Sequence, residues 1–242
     1  MKRLSVNSKN AKYKLGLFLN SSPQYGGTFQ YNLSILNAFS ALDPEKYQKT
    51  VVYGYTDWKD HLERCKLDAR FLPQKTVNRC IDYAFRVLGF DVGNSRLLST
   101  IAMPYRKDLV AMDRDLWIFP SQDPHSYECR LKSLVTIFDL MHRYEKEFPE
   151  LSSWHSYRNR ETLYKNICKH SLGVLTSSEV INNQVTECFN VSKDRVFILP
   201  LTPPTYIYTK KSIKQKSLTS MNYQINLFST PHNSGVIKIT EI

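Results

Sequence analysis

The sequence predicts an α/β fold: a parallel sheet covered by helices on both faces. Three observations predict it. Short apolar runs alternate with helical patterns over most of the 242 residues. Most connections between them are short, as in repeated strand–helix–strand units. Hydrophobic residues make up 42% of the chain, enough to bury a core.

Lys14–Asn20 (KLGLFLN) is a compact apolar run, the form a strand buried on both faces takes. It enters Ser21-Ser-Pro-Gln-Tyr-Gly-Gly27, a stretch dense in turn formers. From Phe29 to Leu42 the apolar residues Phe29, Leu33, Leu36, Ala38, Phe39 and Leu42 recur near helical spacing. Lys49–Tyr55 reads as a second strand, and Trp58–Lys66, Asn78–Leu88 and Arg96–Met103 as helices. Leu116–Phe119, closed by Pro120, and Leu134–Phe138 are further strands. Ser153–His170 is a long helix with Ser152 or Ser153 as N-cap. Gly173–Thr176 is a strand, Ser178–Cys188 a helix, and Val196–Leu199 a strand closed by Pro200. This divides the chain into a basic, disordered N-terminus (1–13), one domain (14–206) and a polar, basic tail (207–242) expected not to be globular.

The net charge of +11 points first to nucleic acid or an anionic membrane. Its distribution argues against nucleic acid. Residues 1–14 hold five basic groups and no acid, and residues 207–242 hold five basic groups and one acid. The domain between is left nearly neutral, without a basic stripe interleaved with aromatics. The five cysteines are dispersed with no Cys-x-x-Cys pair, as expected of reduced thiols in a cytoplasmic protein. No apolar run approaches the roughly 18–20 residues of a membrane span, so no transmembrane segment is expected.

The most informative stretch is Val135 to Glu150. A β-branched run ends in Asp139, His142 and Arg143, followed by an acidic loop with Pro149 and Glu150. In an open α/β sheet, ligands bind beyond the carboxyl ends of the strands. An acid, an imidazole and a guanidinium placed there suit a site, although loops after strands also collect ordinary polar residues. Gly26 and Gly27 follow the first strand and open a helix, where backbone N–H groups can receive a phosphate; a tight turn needing positive φ explains them equally well. No Gly-x-Gly-x-x-Gly pattern supports a dinucleotide. Asp113-Arg-Asp115 has the form of a divalent-metal pair, but it precedes a strand and reads better as a connection. No histidine spacing suggests zinc, and no metal site is expected. Ser177-Ser178-Glu179 reads first as an N-cap.

Taken in order, these pieces resemble the N-terminal lobe of family 4 glycosyltransferases. These are retaining, nucleotide-sugar-dependent enzymes with two Rossmann-like lobes, the GT-B architecture. The matching residues are Tyr25-Gly-Gly-Thr-Phe-Gln-Tyr31 with Leu33 and Leu36, Trp117-Ile-Phe-Pro120, Val135-Thr-Ile-Phe-Asp-Leu140, Met141-His-Arg143 and Phe148-Pro-Glu150. Arg160, Ser177-Ser-Glu179 and Val196-Phe-Ile-Leu-Pro200 complete the set. Coverage is about Lys14 to Tyr206. The resemblance implies a single Rossmann-like GT-B lobe that transfers a sugar from a nucleotide sugar to a saccharide or lipid-linked acceptor in surface-polysaccharide biosynthesis. It implies Gly26 and Gly27 at the donor phosphates, His142 and Asp139 as catalytic groups, and Arg143 and Glu150 at the acceptor. No metal or other cofactor is implied, and a lipid-linked acceptor allows peripheral contact with the inner face of the membrane. The alternative is a non-catalytic Rossmann-like domain binding a nucleotide, a sugar or a protein.

Two departures stand out. Many relatives carry a histidine where this chain has Phe138, so one active-site contact is absent. The chain also stops before a second lobe, which in this family holds most nucleotide-sugar contacts. Read one base out of register, the codons allowed by Ser229 to Thr240 permit Tyr-Pro-Ala-Gln-Phe-Trp-x-His-Lys-Asn-His. That phrase resembles the opening of the second lobe in one branch of the family. The expectation is an enzyme truncated by a frameshift, with residues 207–242 out of frame and the chain inactive alone.

Overall fold

The six apolar runs read as strands all form strands, and a seventh joins them. In the computed structural model, which describes residues 12–73, 76–102, 106–145, 147–201, 223–227 and 237–241, these are β1 (Tyr13–Leu19), β2 (Tyr47–Tyr53), β3 (Asp68–Phe71), β4 (Leu116–Phe119), β5 (Ser133–Ile137), β6 (Gly173–Thr176) and β7 (Val196–Ile198). They pair in the order β3-β2-β1-β4-β5-β6-β7, every pair parallel. The chain first builds outward from β1 to β3, then returns to the other side of β1 with β4. The order therefore reverses between β1 and β4, the place where open sheets of this kind leave a crevice for ligands.

The helices are α1 (Gly27–Ala41), α2 (Lys59–Cys65), α3 (Thr76–Leu88), α4 (Arg96–Ala102), α5 (Arg106–Ala111), α6 (His125–Glu128), α7 (Met141–Tyr144), α8 (Pro149–Ser152), α9 (Trp154–His170) and α10 (Glu179–Phe189). Strand pleating sends alternate side chains to opposite faces. Leu15, Leu17, Leu19 and Val51 go to one face, where Phe29, Leu36 and Phe39 of α1 and Leu62 of α2 cover them. Phe18, Val52, Trp117, Val135 and Ile137 go to the other, under Leu163 and Ile167 of α9 and Val185 of α10. Gly16 is required within this packing. A Cβ added there would sit 2.5 Å from the indole of Trp117, so only glycine lets that ring lie across β1.

Sequence alone did not predict β3, whose four residues (DARF) are all exposed and form no continuous apolar run. Pairing with Thr50–Tyr53 makes Asp68–Phe71 a strand, and Thr50 Oγ1 donates to Asp68 Oδ2 at 3.0 Å. Tertiary context overrides propensity at such an edge. The short helices α5 to α8 were also missed, being too brief to show a period. Asp113-Arg-Asp115 is a connection, as read: it joins α5 to β4, with Asp115 Oδ2 accepting from the Lys14 backbone N–H at 2.7 Å.

Residues 1–11 of the expected disordered N-terminus lie outside the described residues, as do 202–206 of the expected domain and 207–222, 228–236 and 242 of the expected non-globular tail. Within that tail, Tyr223–Leu227 (β8) and Ile237–Glu241 (β9) pair antiparallel. The sequence assigned nothing there, although Tyr-Gln-Ile-Asn-Leu alternates apolar and polar residues with a period of two.

Candidate functional site

The loop after β1 is fixed from beneath by side chains distant in sequence. Asn20 Nδ2 donates to Asp123 Oδ2 at 2.7 Å, spanning the crevice between β1 and β4. Trp58 Nε1 donates to the Ser21 carbonyl at 2.7 Å. Asn32, wholly buried in α1, accepts from Ser21 Oγ at 2.7 Å and donates to the Pro120 carbonyl at 2.8 Å. With these anchors the loop has little freedom left, and Gly26 and Gly27 stand exposed at its tip. Gly26 has φ +51° and ψ −109°, a conformation that a side chain strains. Gly27 is the first residue of α1. A Cβ added to either glycine would meet no atom within 4 Å. No side chain caps α1, so its first N–H groups face the open edge with the positive end of the helix dipole behind them.

Asp123 was not singled out from the sequence. It is buried in the loop after β4 and accepts from Asn20, from the His125 backbone N–H at 2.9 Å and from the His125 ring. Burial works against its charge, but His125 and these hydrogen bonds outweigh it and hold the carboxyl below its ordinary value. The signal available was its position just after a strand, in Ser121-Gln-Asp-Pro124.

The segment after β5 is built differently. Asp139 Oδ1 accepts from the Met141 backbone N–H at 3.1 Å, starting α7, and lies 3.7 Å from Arg160 Nη1 of α9. Arg143 Nε donates to Glu161 Oε2 at 2.9 Å, and its Nη2 donates to Glu161 Oε1, a two-point pair. The Arg143 guanidinium also lies 4.8 Å from the centre of the Phe189 ring. His142 is completely buried between the rings of Tyr157 and Tyr164. Its Nε2 lies 3.2 Å from Glu161 Oε2. An ionised carboxylate only accepts, so Nε2 carries the proton of this bond. Nδ1 is buried and has no hydrogen-bond partner among the described residues.

Glu161 organises this segment. Burial disfavours its charge, yet the hydrogen bonds from His142 and Arg143 hold its carboxyl down to about 2. The sequence gives it no role beyond its place in the Ser153–His170 helix. The missed signal was helical spacing: Tyr157, Arg160, Glu161 and Tyr164 recur along the one side of α9 that meets the Asp139–Arg143 segment.

The predicted site residues thus lie along one sheet edge. Gly26 and Gly27 follow β1, while Asp139, His142 and Arg143 follow β5, and all strands run the same way. Tyr31 of α1 and Phe138 meet edge to face at 5.2 Å, and Ser177 Oγ donates to the Phe138 carbonyl at 3.5 Å. Glu150 is exposed in the first turn of α8, and among the described residues no hydrogen bond or ion pair joins it to the other site residues. Ser178 is the N-cap of α10, its side chain accepting from the Ile181 N–H at 3.4 Å. Among the described residues, no group of three or more His, Cys, Asp or Glu side chains is placed to hold a metal ion.

No known family profile matches the chain, and no curated protein matches it. Solved structures do. A glycosyltransferase from Rickettsia africae is similar over 78% of this chain and 43% of its own length, at 12% identity and a TM-score of 0.43. A UDP-N-acetylglucosamine 2-epimerase candidate from Listeria monocytogenes is similar over 77% and 44%, at 13% identity and a TM-score of 0.44. The N-terminal domain of a Candida albicans trehalose-6-phosphate phosphatase is similar over 80% and 49%, at 11% identity and a TM-score of 0.44. The chain spans less than half the length of each of these structures. The architecture itself, a seven-stranded parallel sheet with helices on both faces, is the Rossmann-like α/β fold expected from the sequence.

Proposed function

We propose that this chain is the acceptor-side lobe of a retaining glycosyltransferase of the family 4 type. The intact enzyme transfers a sugar from a nucleotide sugar to a saccharide or lipid-linked acceptor in surface-polysaccharide assembly. One observation carries the reading: an anchored glycine loop opening a helix and a charged segment containing Asp139 share one carboxyl edge. In this reading the donor diphosphate approaches Gly26 and Gly27 and the first N–H groups of α1. Asp139 faces the transferred sugar, and Glu150 and Arg143 serve the acceptor. Glu161 occupies Nε and Nη2 of Arg143, which leaves Nη1 for an acceptor oxygen. His142 is wholly buried, so it acts by holding Glu161 rather than by touching substrate. No metal enters the reaction.

One lobe supplies only part of the enclosure that aligns donor and acceptor, an effect of about 7–11 kcal/mol when alignment is good. The chain alone is therefore inactive. The codons permitted at Ser229–Thr240 support passage out of frame at the start of the second lobe. Purified chain incubated with nucleotide sugars and acceptor lipid extract is expected to give no transfer. Adding the lobe encoded in the shifted downstream frame restores it. Transfer by the chain alone, with donor hydrolysis excluded, overturns the one-lobe reading. Codons that forbid Tyr-Pro-Ala-Gln-Phe-Trp overturn the frameshift.

The burial of His142 and the Arg143–Glu161 pair favour one other reading, a non-catalytic domain that binds a nucleotide, sugar or protein. Ligand binding without transfer, even with the second lobe supplied, would select it.

A further inference from the structure

Helix α3 is held to the domain by its charged side. Its apolar stripe, Val77, Cys80, Ala84 and Leu88, recurs at intervals of three and four and lies exposed. Asp82 and Arg86, an ion pair four residues apart, turn inward instead. Of the α3 side chains only Asp82 and Val87 are buried. Arg86 Nε donates to Asn159 Oδ1 of α9 at 2.7 Å. Glu128 of α6, 1% exposed, completes the group with a hydrogen bond to Asp82. The attachment of this helix therefore rests largely on polar contacts.

Two carboxylates and one guanidinium cannot all be ionised in that place. Arg86 balances one negative charge, and a second would be buried without a partner. The hydrogen bonds lead to the same count. Asp82 Oδ1 and Glu128 Oε1 are both buried, and no donor reaches either. Ionised carboxylates only accept, so a hydrogen bond between these two exists only when one carries a proton. Burial first, and then the Asp82 carboxylate, push the Glu128 carboxyl well above its ordinary range, so the proton is on Glu128.

The groups around the pair do not replace that proton. Asp123, in the loop after β4, adds negative charge and is itself held by His125. On α6, burial pushes the Tyr127 hydroxyl and the Cys129 thiol up, which keeps both neutral. Arg106 of α5 acts on Cys129. From α9, His170 stacks on the Tyr127 ring and joins Lys169 in pairing with Asp91, ahead of the turn Val92–Asn94. The buried polar group of α4 is Ser99.

We propose that α3 is a latch closed by one proton: closing seats Glu128 as the neutral acid against Asp82, and opening lets water reach Glu128, which gives its proton to solvent. The closed and open states then differ by one bound proton, so pH sets the balance between them. The latch bears on the functional edge. Near the start of α3, the Arg79 charge acts on Tyr55, whose hydroxyl is hydrogen-bonded to that of Tyr25 beside Gly26. Opening withdraws this cation from the glycine loop. The latch does not rest on glycosyl transfer, and either can fail its test while the other stands.

The sign follows from the raised carboxyl. Closed α3 binds the proton more tightly than solvated Glu128 does, whose ordinary value is 4.5. Closing is therefore favoured most below about 4.5 and weakens as pH rises, until Glu128 ionises in the closed state as well. Amide exchange of the full chain, corrected for the intrinsic rates, reads this between about pH 5 and about pH 8. Protection of α3 is expected to fall by up to about tenfold per pH unit, while β1 and β5 keep theirs. Glu128→Gln, a neutral donor at every pH, should abolish that dependence and leave α3 better protected than the parent at the alkaline end. Infrared spectroscopy gives a second readout that needs no variant to fold well: the parent at neutral pH shows the carbonyl stretch of a protonated carboxylic acid, and Glu128→Gln lacks it. The latch is overturned if that band is missing from the parent, or if α3 exchange does not respond to pH. A response that survives Glu128→Gln also overturns it and moves the cause to Asp91 and His170. Parallel loss of protection in β1 and β5 would mean unfolding of the whole domain, with no separate latch.

Discussion

The two loops at the functional edge solve the same problem in opposite ways. After β1, the fixing groups lie underneath: Asn20, Trp58 and Asn32 hold the backbone, and the exposed tip is glycine. After β5, the fixing groups are the candidate ligand contacts themselves. Glu161 engages His142 Nε2 and Arg143 Nε and Nη2, and Asp139 is held by the Met141 N–H and Arg160. The first loop can receive an anion without losing any contact. The second gains a ligand contact only through atoms its partners leave open, or by giving up an ion pair. Preorganisation is thus complete at the glycine loop and conditional at the segment after β5.

The largest expected effect tests the second loop. Glu161→Gln keeps shape and one acceptor but removes the charge that pairs Arg143. Glu161 is 23% exposed at its side chain, between a surface pair and a buried one. The loss should therefore be about 2–3 kcal/mol, more than an exposed pair gives and less than a fully buried one. Urea unfolding with an unchanged slope measures it. A loss within error would mean the pair contributes nothing net.

Asn32→Ala probes the first loop and should cost about 1–3 kcal/mol, the penalty for leaving Ser21 Oγ and the Pro120 carbonyl without their partner. If the loop is anchored as described, amide exchange in Ser21–Gly27 rises as well. Unchanged exchange there would separate Asn32 from the loop.

Acid sharpens the contrast. The Glu161 carboxyl is lowered from 4.5 to about 2 in the fold, so the folded state binds the proton less readily than the unfolded one. Its stabilisation is fully present above about 4.5 and is lost as pH falls toward about 2. The stability gap between the parent and Glu161→Gln should narrow across that window. A gap independent of pH would show that charge is not its origin.

The smallest effects separate the two glycines. Gly26→Ala should cost about 1 kcal/mol because of its positive φ. Gly27→Ala has open space and a helical position, and should be neutral or stabilising by about 0.5–1 kcal/mol. If a phosphate approaches the backbone at Gly27, the same methyl abolishes the chemical-shift response of α1 to UDP. A response that survives Gly27→Ala would reduce the glycines to a turn.

The sequence by itself determined the sheet and its direction. Continuous apolar runs as short as Leu15–Leu19 and Leu134–Ile137, bounded by turn formers, read as strands covered on both faces, and helical patterns between them favour parallel pairing. It also determined that Gly26–Gly27 and Asp139–Arg143 lie along one edge, because loops after parallel strands share an edge. Tertiary structure alone decided the rest. Asp68–Phe71 is a strand because β2 is beside it. His142 is buried, and Arg143 paired, because Glu161 projects from a helix whose rotation is set by Leu163 and Ile167 in the core. The apolar stripe of α3 faces outward because Asp82 and Arg86 find partners on α6 and α9. Periodicity records which side chains share a face of a helix. The direction of that face is fixed by the elements packed against it, and these lie far away in the sequence.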